Sequence, residues 1–429
     1  MTGAKVLIVG SGGREHALGW KIGQSRQVSK LYFAPGNAGT ALLGENIEFG
    51  ALEIDKLVKF AKDNDITLTV VGPEVPLEKG IVDAFEKEGL LIFGPTGRAA
   101  LLETDKAWAT AFMQRHNIPH PKSLTIGGFD EALNYVKRQG PDMIVIKATG
   151  LAAGKGVFLP ESLGEAEACL KRIMVDEEFG PCKEVLIQER IRGREISLLA
   201  FCDGKTIVPL LPAQDHKRID DGDRGPNTGG MGAFAPAAMD ARLREEIYET
   251  ILKRTMDGMR REGRIYKGVL YAGLMITGNG PRVLEYNARF GDPETQPLMM
   301  LFSSDLFAVM KSCTEGTLEA KHVSFRHGAA LCVVIASGGY PAEYKTGKVI
   351  SGLDVHHDKN VEIFCAGTKN LNGKIVSSGG RVLGVTAYGK AMSEARKKAY
   401  FAIGRGGIHF EGMHIRGDIG KAFRQSRNR

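Results

Sequence analysis

The chain has 429 residues, room for about three domains at roughly 150 residues each. Hydrophobic residues make up 43% and charged residues 25%, a balance that excludes a disordered or fibrous chain. Lys+Arg outnumber Asp+Glu by 57 to 50, and aromatics are only 7% and scattered. No basic nucleic-acid stripe is indicated, and a protein that handles anionic small molecules fits the mild excess of +7.

Six cysteines (Cys169, Cys182, Cys202, Cys313, Cys332, Cys365) lie far apart without a CxxC pair, so reduced buried thiols are expected rather than disulfides or zinc. Met1 leads almost directly into the apolar Lys5-Val6-Leu7-Ile8-Val9, which leaves no room for a targeting peptide. No apolar run approaches the ~18 residues of a membrane span. A cytoplasmic protein without membrane or nucleic-acid partners is expected.

In chain order, Val6 to Val9 reads as a strand ending in Gly10-Ser11-Gly12-Gly13, followed by a helix over 15–25. A second strand, 30–34, closes at Pro35-Gly36-Asn37, and 54–64 has one apolar helical face. Strands 67–71 and 90–93 end at Gly72-Pro73-Glu74 and Gly94-Pro95. This alternation predicts a parallel sheet covered by helices on both faces, with its ligand loops at the strands' carboxyl ends. A helix over 104–116 runs to a hinge at Ile118-Pro119-His120-Pro121. Strands follow at 143–147, 157–159, 185–189 and 195–201. Residues 215–232 are polar, glycine-rich and too free of apolar periodicity to be core, so they read as a functional loop. A helix over 241–262 precedes strands 269–276 and 282–286. The last hundred residues, with strands 329–335, 363–366 and 381–387 and a helix 393–403, form a small α+β unit.

The glycine loops select the chemistry. Gly10-Ser11-Gly12-Gly13-Arg14-Glu15 follows a strand and opens a helix. Yet Glu15 stands where a dinucleotide fingerprint needs a small residue, and Ala34-Pro35 stands where it needs a ribose-binding acid. A helix amino terminus facing a ligand phosphate is preferred. Gly150-Leu151-Ala152-Ala153-Gly154-Lys155-Gly156 is one residue short of a Walker loop, lacks its Ser/Thr and precedes a strand. It fits a glycine-rich hairpin folding over phosphates, or a hairpin without ligand.

Lys147 closes an apolar strand, where it either meets an anion or snorkels to solvent. Glu285 and Asn287, two apart on a strand, project from one face as an oxygen donor pair suited to Mg²⁺, or as a solvated strand face. Arg289 can clamp a phosphate or carboxylate, or pair with Asp292. Gln214-Asp215-His216-Lys217-Arg218 gathers an acid, an imidazole and two cations, while Pro226-Asn227-Thr228-Gly229-Gly230-Met231-Gly232 offers free amides for an oxyanion.

The ordered set resembles the glycinamide ribonucleotide synthetases (phosphoribosylamine–glycine ligases), an ATP-grasp family of purine synthesis. The resemblance spans essentially the whole chain. Gln214–Arg218, Pro226–Gly232 and Arg289-Phe290-Gly291-Asp292-Pro293-Glu294 are its most specific blocks, with Gly12–Ala17, Ala34–Gly39, Val71–Glu74, Gly150–Val157, Leu270–Gly273, Gly338–Pro341, Ala366–Thr368 and Gly379–Val382 in support. It implies an α/β and α+β ATP-grasp enzyme. A doubly wound amino-terminal domain would cover 1–103, and an ATP-grasp domain 104–325, with a mobile lid at about 122–193. A carboxyl-terminal domain would cover 326–429.

The implied reaction is ATP-dependent ligation of glycine to 5-phosphoribosylamine through glycyl phosphate, with a monomeric enzyme expected. The resemblance further implies site roles. ATP would be held by Lys106, Lys147, Gly154, Lys155 and Gly156, by Glu189 and Ile191 at the adenine and by Glu195 at the ribose. Mg²⁺ (or Mn²⁺) would lie on Glu285 and Asn287. Lys147, Arg289 and Asp292 would serve catalysis. Glycine or the sugar phosphate would be held by Gly12, Gly13, Asp215, His216, Lys217, Arg218, Thr228, Gly229, Gly230, Arg289, Asp292, Pro293, Glu294 and Thr295. The chain departs from the family at Arg190 and Arg194, which with Arg192 place three positive charges beside the nucleotide hinge, and the chain ends after the ligase unit. Another ATP-grasp ligase, a nicotinamide oxidoreductase and a nucleotide-sensing protein without turnover are the rival readings.

Overall fold

The computed structural model describes residues 3–152, 156–180, 184–354, 358–404 and 406–421. Strand Ala4–Gly10 lies at the middle of a parallel five-stranded sheet. Val28–Pro35 and Leu68–Val71 flank it, and Glu45–Asn46 and Ile92–Phe93 form the edges. Val6 and Ile8 enter one core while Leu7 and Val9 enter the other, and all four are fully buried. Successive side chains of a strand point to opposite faces, so an unbroken apolar run needs cover on both sides. The glycine and proline turns predicted at the strand ends do emerge together at the carboxyl edge.

A second, antiparallel sheet follows the order Ile207–Pro209, Arg194–Asp203, Lys267–Thr277, Gly280–Asn287. Leu198 and Ala200 join one of the two cores and Leu199 and Phe201 the other, so both sheets share continuous hydrophobic packing. A smaller sheet, Ser123–Ile126, Val185–Glu189, Ile144–Ala148 and Val157–Phe158, is closed by helices Phe129–Gln139 and Leu163–Met174 around a core of its own. The last sheet is centred on Ala329–Ser337 and Arg381–Gly389, with helix Met392–Phe401 packed on it.

Three local expectations change. The helix expected over 104–116 is found at Lys106–Arg115, but a further helix, Gly97–Thr104, precedes it, the two separated where Asp105 leaves the helical conformation and its side chain caps the amide of Trp108. The helix expected over 241–262 contains a π-turn at Tyr248–Leu252 between Ala241–Ile247 and Lys253–Arg261. Residues 215–232 are not a plain loop. Gln214–Asp215 and Gly232–Ala235 pair with each other, and Gly232–Ala235 joins Ala329–Ser337. A hairpin, Arg218–Asp220 with Arg224–Asn227, projects between them. The carboxyl-terminal sheet is therefore completed by strands from the middle of the chain. Apolar periodicity cannot reveal strands of two to four residues that are stabilised by distant partners.

Candidate active site

One cavity of about 1210 Å³ opens where the first, central and carboxyl-terminal sheets meet the small lid-like sheet. Lys147 enters it from Ile144–Ala148, only 5% exposed, with its ammonium donating to the Leu284 carbonyl at 2.9 Å. Burial outweighs the attraction of Glu285 and lowers the Lys147 pKa to about 8. Lys106 opens helix Lys106–Arg115 beneath the Asp105 cap, and its Nζ donates to the Gly150 carbonyl at 2.7 Å. Gly156 lies so close to Ala152 and Ala148 that a Cβ there would come within 2.6 Å of the former, which explains glycine at that turn. Gly154 and Lys155 lie outside the described residues.

Glu285 and Asn287 both line the cavity from Gly280–Asn287, as their spacing predicts. Burial alone would raise the Glu285 carboxyl, but Lys217, Lys147 and Lys106 together bring it down to about 2. A carboxylate kept ionised beside an amide oxygen, with open cavity in front, suits a hard divalent cation that retains most of its waters. Glu189, Ile191 and Glu195 line the same chamber. Of the three arginines beside this wall, Arg190 and Arg194 line the cavity, whereas Arg192 is exposed and off it. Arg190 is paired with Glu161 at 2.9 Å, so its charge is largely met.

The opposite end is built around two arginines. Arg289 does not pair with Asp292, as its sequence neighbourhood suggested. It lies 3.3 Å from Glu74 and 3.1 Å from Glu103, which arrive from the first unit. Burial raises the Glu103 carboxyl against the pull of Arg289, whereas for Glu74 the charges of Arg289 and Arg14 win over burial and its pKa falls. Asp292 instead faces Arg381, 3.4 Å away, and accepts from Gln296 at 2.8 Å. Its pKa lies below the ordinary carboxylate value because Arg381 and Arg14 overcome burial. Arg381 also donates to the carbonyls of Gly229 and Asp292, each at 2.6 Å, and so binds both motif blocks to the carboxyl-terminal sheet.

Asp215, Lys217, Arg218, Thr228, Gly229 and Glu294 line the cavity. Glu294 is buried and accepts hydrogen bonds from Tyr271 at 2.6 Å and Ser197 at 2.9 Å. Burial and then the nearby Glu294 push the Asp215 pKa well up. Thr228 pins the loop, donating to the Lys217 carbonyl at 2.8 Å and accepting from the Gly230 amide at 2.9 Å.

Six expected substrate residues do not line the cavity. His216 is buried against Phe234, with Nδ1 3.3 Å from the Gly232 carbonyl. Burial, then Arg416, lowers its pKa. Thr295 is fully buried and donates back to the Gly291 carbonyl at the start of helix Thr295–Leu301. Gly230, at φ +113, abuts Pro293: a Cβ there would come within 2.5 Å of the proline ring. Gly12 and Gly13 open helix Gly13–Ile22, where the Glu15 carboxylate folds back to accept the Gly12 amide at 2.5 Å. Glu15 also explains Gly72, whose Cβ would lie 1.9 Å from its carboxylate oxygen.

Arg14, Glu74, Glu103, Ser197, Tyr271 and Arg381 are cavity residues to which the sequence attached no role. Arg14, Glu74, Tyr271 and Arg381 stood inside recognised motif blocks, which was a usable signal. Glu103 and Ser197 carried none.

Three models of phosphoribosylglycinamide synthetase match in succession: the N domain over 4–103, the ATP-grasp (A) domain over 104–295 and the C domain over 330–422. The chain belongs to the phosphoribosylglycinamide synthetase family. Curated members similar to it include the phosphoribosylamine--glycine ligase of Rhodopirellula baltica, 46% identical with 98% of each chain covered. The Yersinia pestis protein of the same name is 47% identical, over 97% of this chain and 98% of its own. Among solved structures, the Thermotoga maritima phosphoribosylamine--glycine ligase superposes with a TM-score of 0.85 at 35% identity, covering 97% of this chain and all of that one. The biotin carboxylase of Campylobacter jejuni, solved as a β-γ-ATP complex, matches 96% of this chain with TM-score 0.71, over 92% of its own chain. At 15% identity that likeness concerns the fold alone.

Proposed function

We propose that this protein joins glycine to 5-phosphoribosylamine at the expense of ATP, giving glycinamide ribonucleotide, ADP and phosphate, the second step of purine synthesis. The observation that carries the reading is one cavity, contributed by all parts of the chain. A lysine-and-carboxylate wall there faces an arginine-rich wall across enough space for a nucleotide and two small substrates. Full-length similarity to ligases of that name supports the same substrates.

In this reading Lys147 and Lys106 hold the ATP phosphates, Glu195 takes the ribose, and backbone near Glu189 and Ile191 meets adenine. Glu285 and Asn287 hold Mg²⁺ or Mn²⁺, which when bound neutralises charge on the transferring phosphoryl group. The glycine carboxylate oxygen bonds to the γ-phosphorus as the bond to the bridging oxygen breaks, forming glycyl phosphate and ADP. The amine nitrogen of phosphoribosylamine then attacks the glycyl carbonyl carbon. The carbon–oxygen bond to phosphate breaks and the amine gives up a proton. Arg289, Asp292, Asp215, Lys217, Arg218, Thr228, Gly229 and Glu294 position the two acceptors. No covalent bond to the protein forms.

Closure of the small sheet, residues 122–193, over the nucleotide would keep water from the acyl phosphate. We divide the chain at 103 and 325, with strand Gly232–Ala235 lent to the final unit. No helix among the described residues is long and apolar enough to cross a membrane; the cytoplasm is the compartment this reading assigns to the reaction. The test is ADP release from Mg-ATP with glycine and freshly generated phosphoribosylamine, omitting each in turn. ADP formed only with all three is expected. ADP formed at the same rate without either acceptor would overturn the reading.

A further inference from the structure

Lys217 stands between two carboxylates. Its Nζ is 3.7 Å from Glu285 Oε1 and 3.7 Å from Glu195 Oε2, in contact by charge but beyond hydrogen-bond distance of either. Its backbone is fixed, since the Lys217 carbonyl accepts from both the amide and the hydroxyl of Thr228 at 2.8 Å. Its side chain is 39% exposed and open to the cavity. The other two lysines at this carboxylate are tethered differently: Lys147 to the Leu284 carbonyl and Lys106 to the Gly150 carbonyl. Lys217 is thus an ammonium on a fixed base with a loosely held tip, resting on the carboxylate that a divalent ion would need.

Resting on the reading of Glu285 and Asn287 as metal ligands, we propose that Lys217 is an exchangeable counter-cation of the metal site. Its ammonium neutralises Glu285 in the nucleotide-free protein and competes with a divalent ion for that carboxylate. It swings onto the anionic substrates when nucleotide and ion enter together. Two cations a few ångströms apart repel, so the ammonium weakens divalent-ion binding until phosphates draw it away. The free protein then holds little metal.

The test is Mn²⁺ binding to nucleotide-free protein, followed by the loss of the free-ion paramagnetic resonance signal. Lys217→Met is expected to bind Mn²⁺ at least about tenfold more tightly than wild type, because a repelling charge is gone. Lys217→Arg, which keeps the charge, is expected to stay near the wild-type affinity. Glu285→Gln added to Lys217→Met should abolish the gain, which ties the ion to that carboxylate. If Lys217→Met does not fold, Lys217→Gln carries the same expectation. Equal or weaker Mn²⁺ binding in the neutral variant overturns the exchange while leaving the metal ligands in place. A gain that survives Glu285→Gln, or no Mn²⁺ binding in any of the proteins, overturns the reading of the ligands as well.

Discussion

Glu103→Ala removes a carboxylate that is only 6% exposed, lies 3.1 Å from the Arg289 guanidinium and accepts the Ala288 amide at 2.6 Å. Two losses follow. Breaking a buried ion pair from one side costs about 3–5 kcal/mol, because the remaining charge stays buried. The orphaned amide costs about 1–3 kcal/mol by itself. Burial raises the Glu103 carboxyl, and Glu74 remains as a second partner of Arg289, so the lower end of the first range applies. The expected total is about 4 kcal/mol. Glu103→Gln keeps an acceptor for Ala288 and loses only the charge, so it should cost about 1–3 kcal/mol less than alanine. Urea unfolding followed by fluorescence of Trp20 and Trp108, which lie in the first unit and at the start of the second, measures both variants. An alanine variant within about 1 kcal/mol of wild type would refute the view that Glu103 compensates a buried Arg289. Equal costs for alanine and glutamine would refute the role given to the Ala288 amide.

Glu285→Ala should abolish magnesium-dependent ADP formation while the chain still folds, at some cost in thermal stability because three lysines lose their shared carboxylate, whereas wild-type turnover would remove Glu285 from the site. The Lys147 pKa is depressed to about 8 from 10.5, so the unfolded chain binds more protons between those values and folding stability should rise with pH across that window. Lys147→Met should lose that slope and be more stable near pH 7, by on the order of 3 kcal/mol, while losing activity. Denaturation at pH 7, 8, 9 and 10 checks it, and an unchanged slope would sink the argument. Arg381→Ala cuts the bonds to Gly229 and Asp292, so KM for an acceptor substrate should rise by ~10–100-fold, at about 1.4 kcal/mol per tenfold, with the KM for ATP little changed. Steady-state kinetics in each substrate separates the two.

What the sequence determined by itself is what local chemistry dictates. Val6 to Val9 reads as a doubly covered strand because four consecutive apolar residues leave no solvent face, and the glycine and proline turns mark the ligand edge. Glu285 and Asn287 share a face because a strand has period two, and Lys147 at the end of an apolar strand must either meet an anion or reach solvent. The order of the motif blocks was enough for the family.

Tertiary structure decided which charges meet. Arg289 is three residues from Asp292 yet pairs with Glu74, 215 positions away, while Asp292 faces Arg381. Glu15 folds back to cap the Gly12 amide, and His216 and Thr295 are buried in packing rather than lining the cavity. Strands of two to four residues at 214–215 and 232–235 exist only because a distant strand offers them hydrogen bonds. Side-chain direction and long-range pairing depend on what stands opposite. A linear sequence names the groups, but only the closed fold supplies their partners.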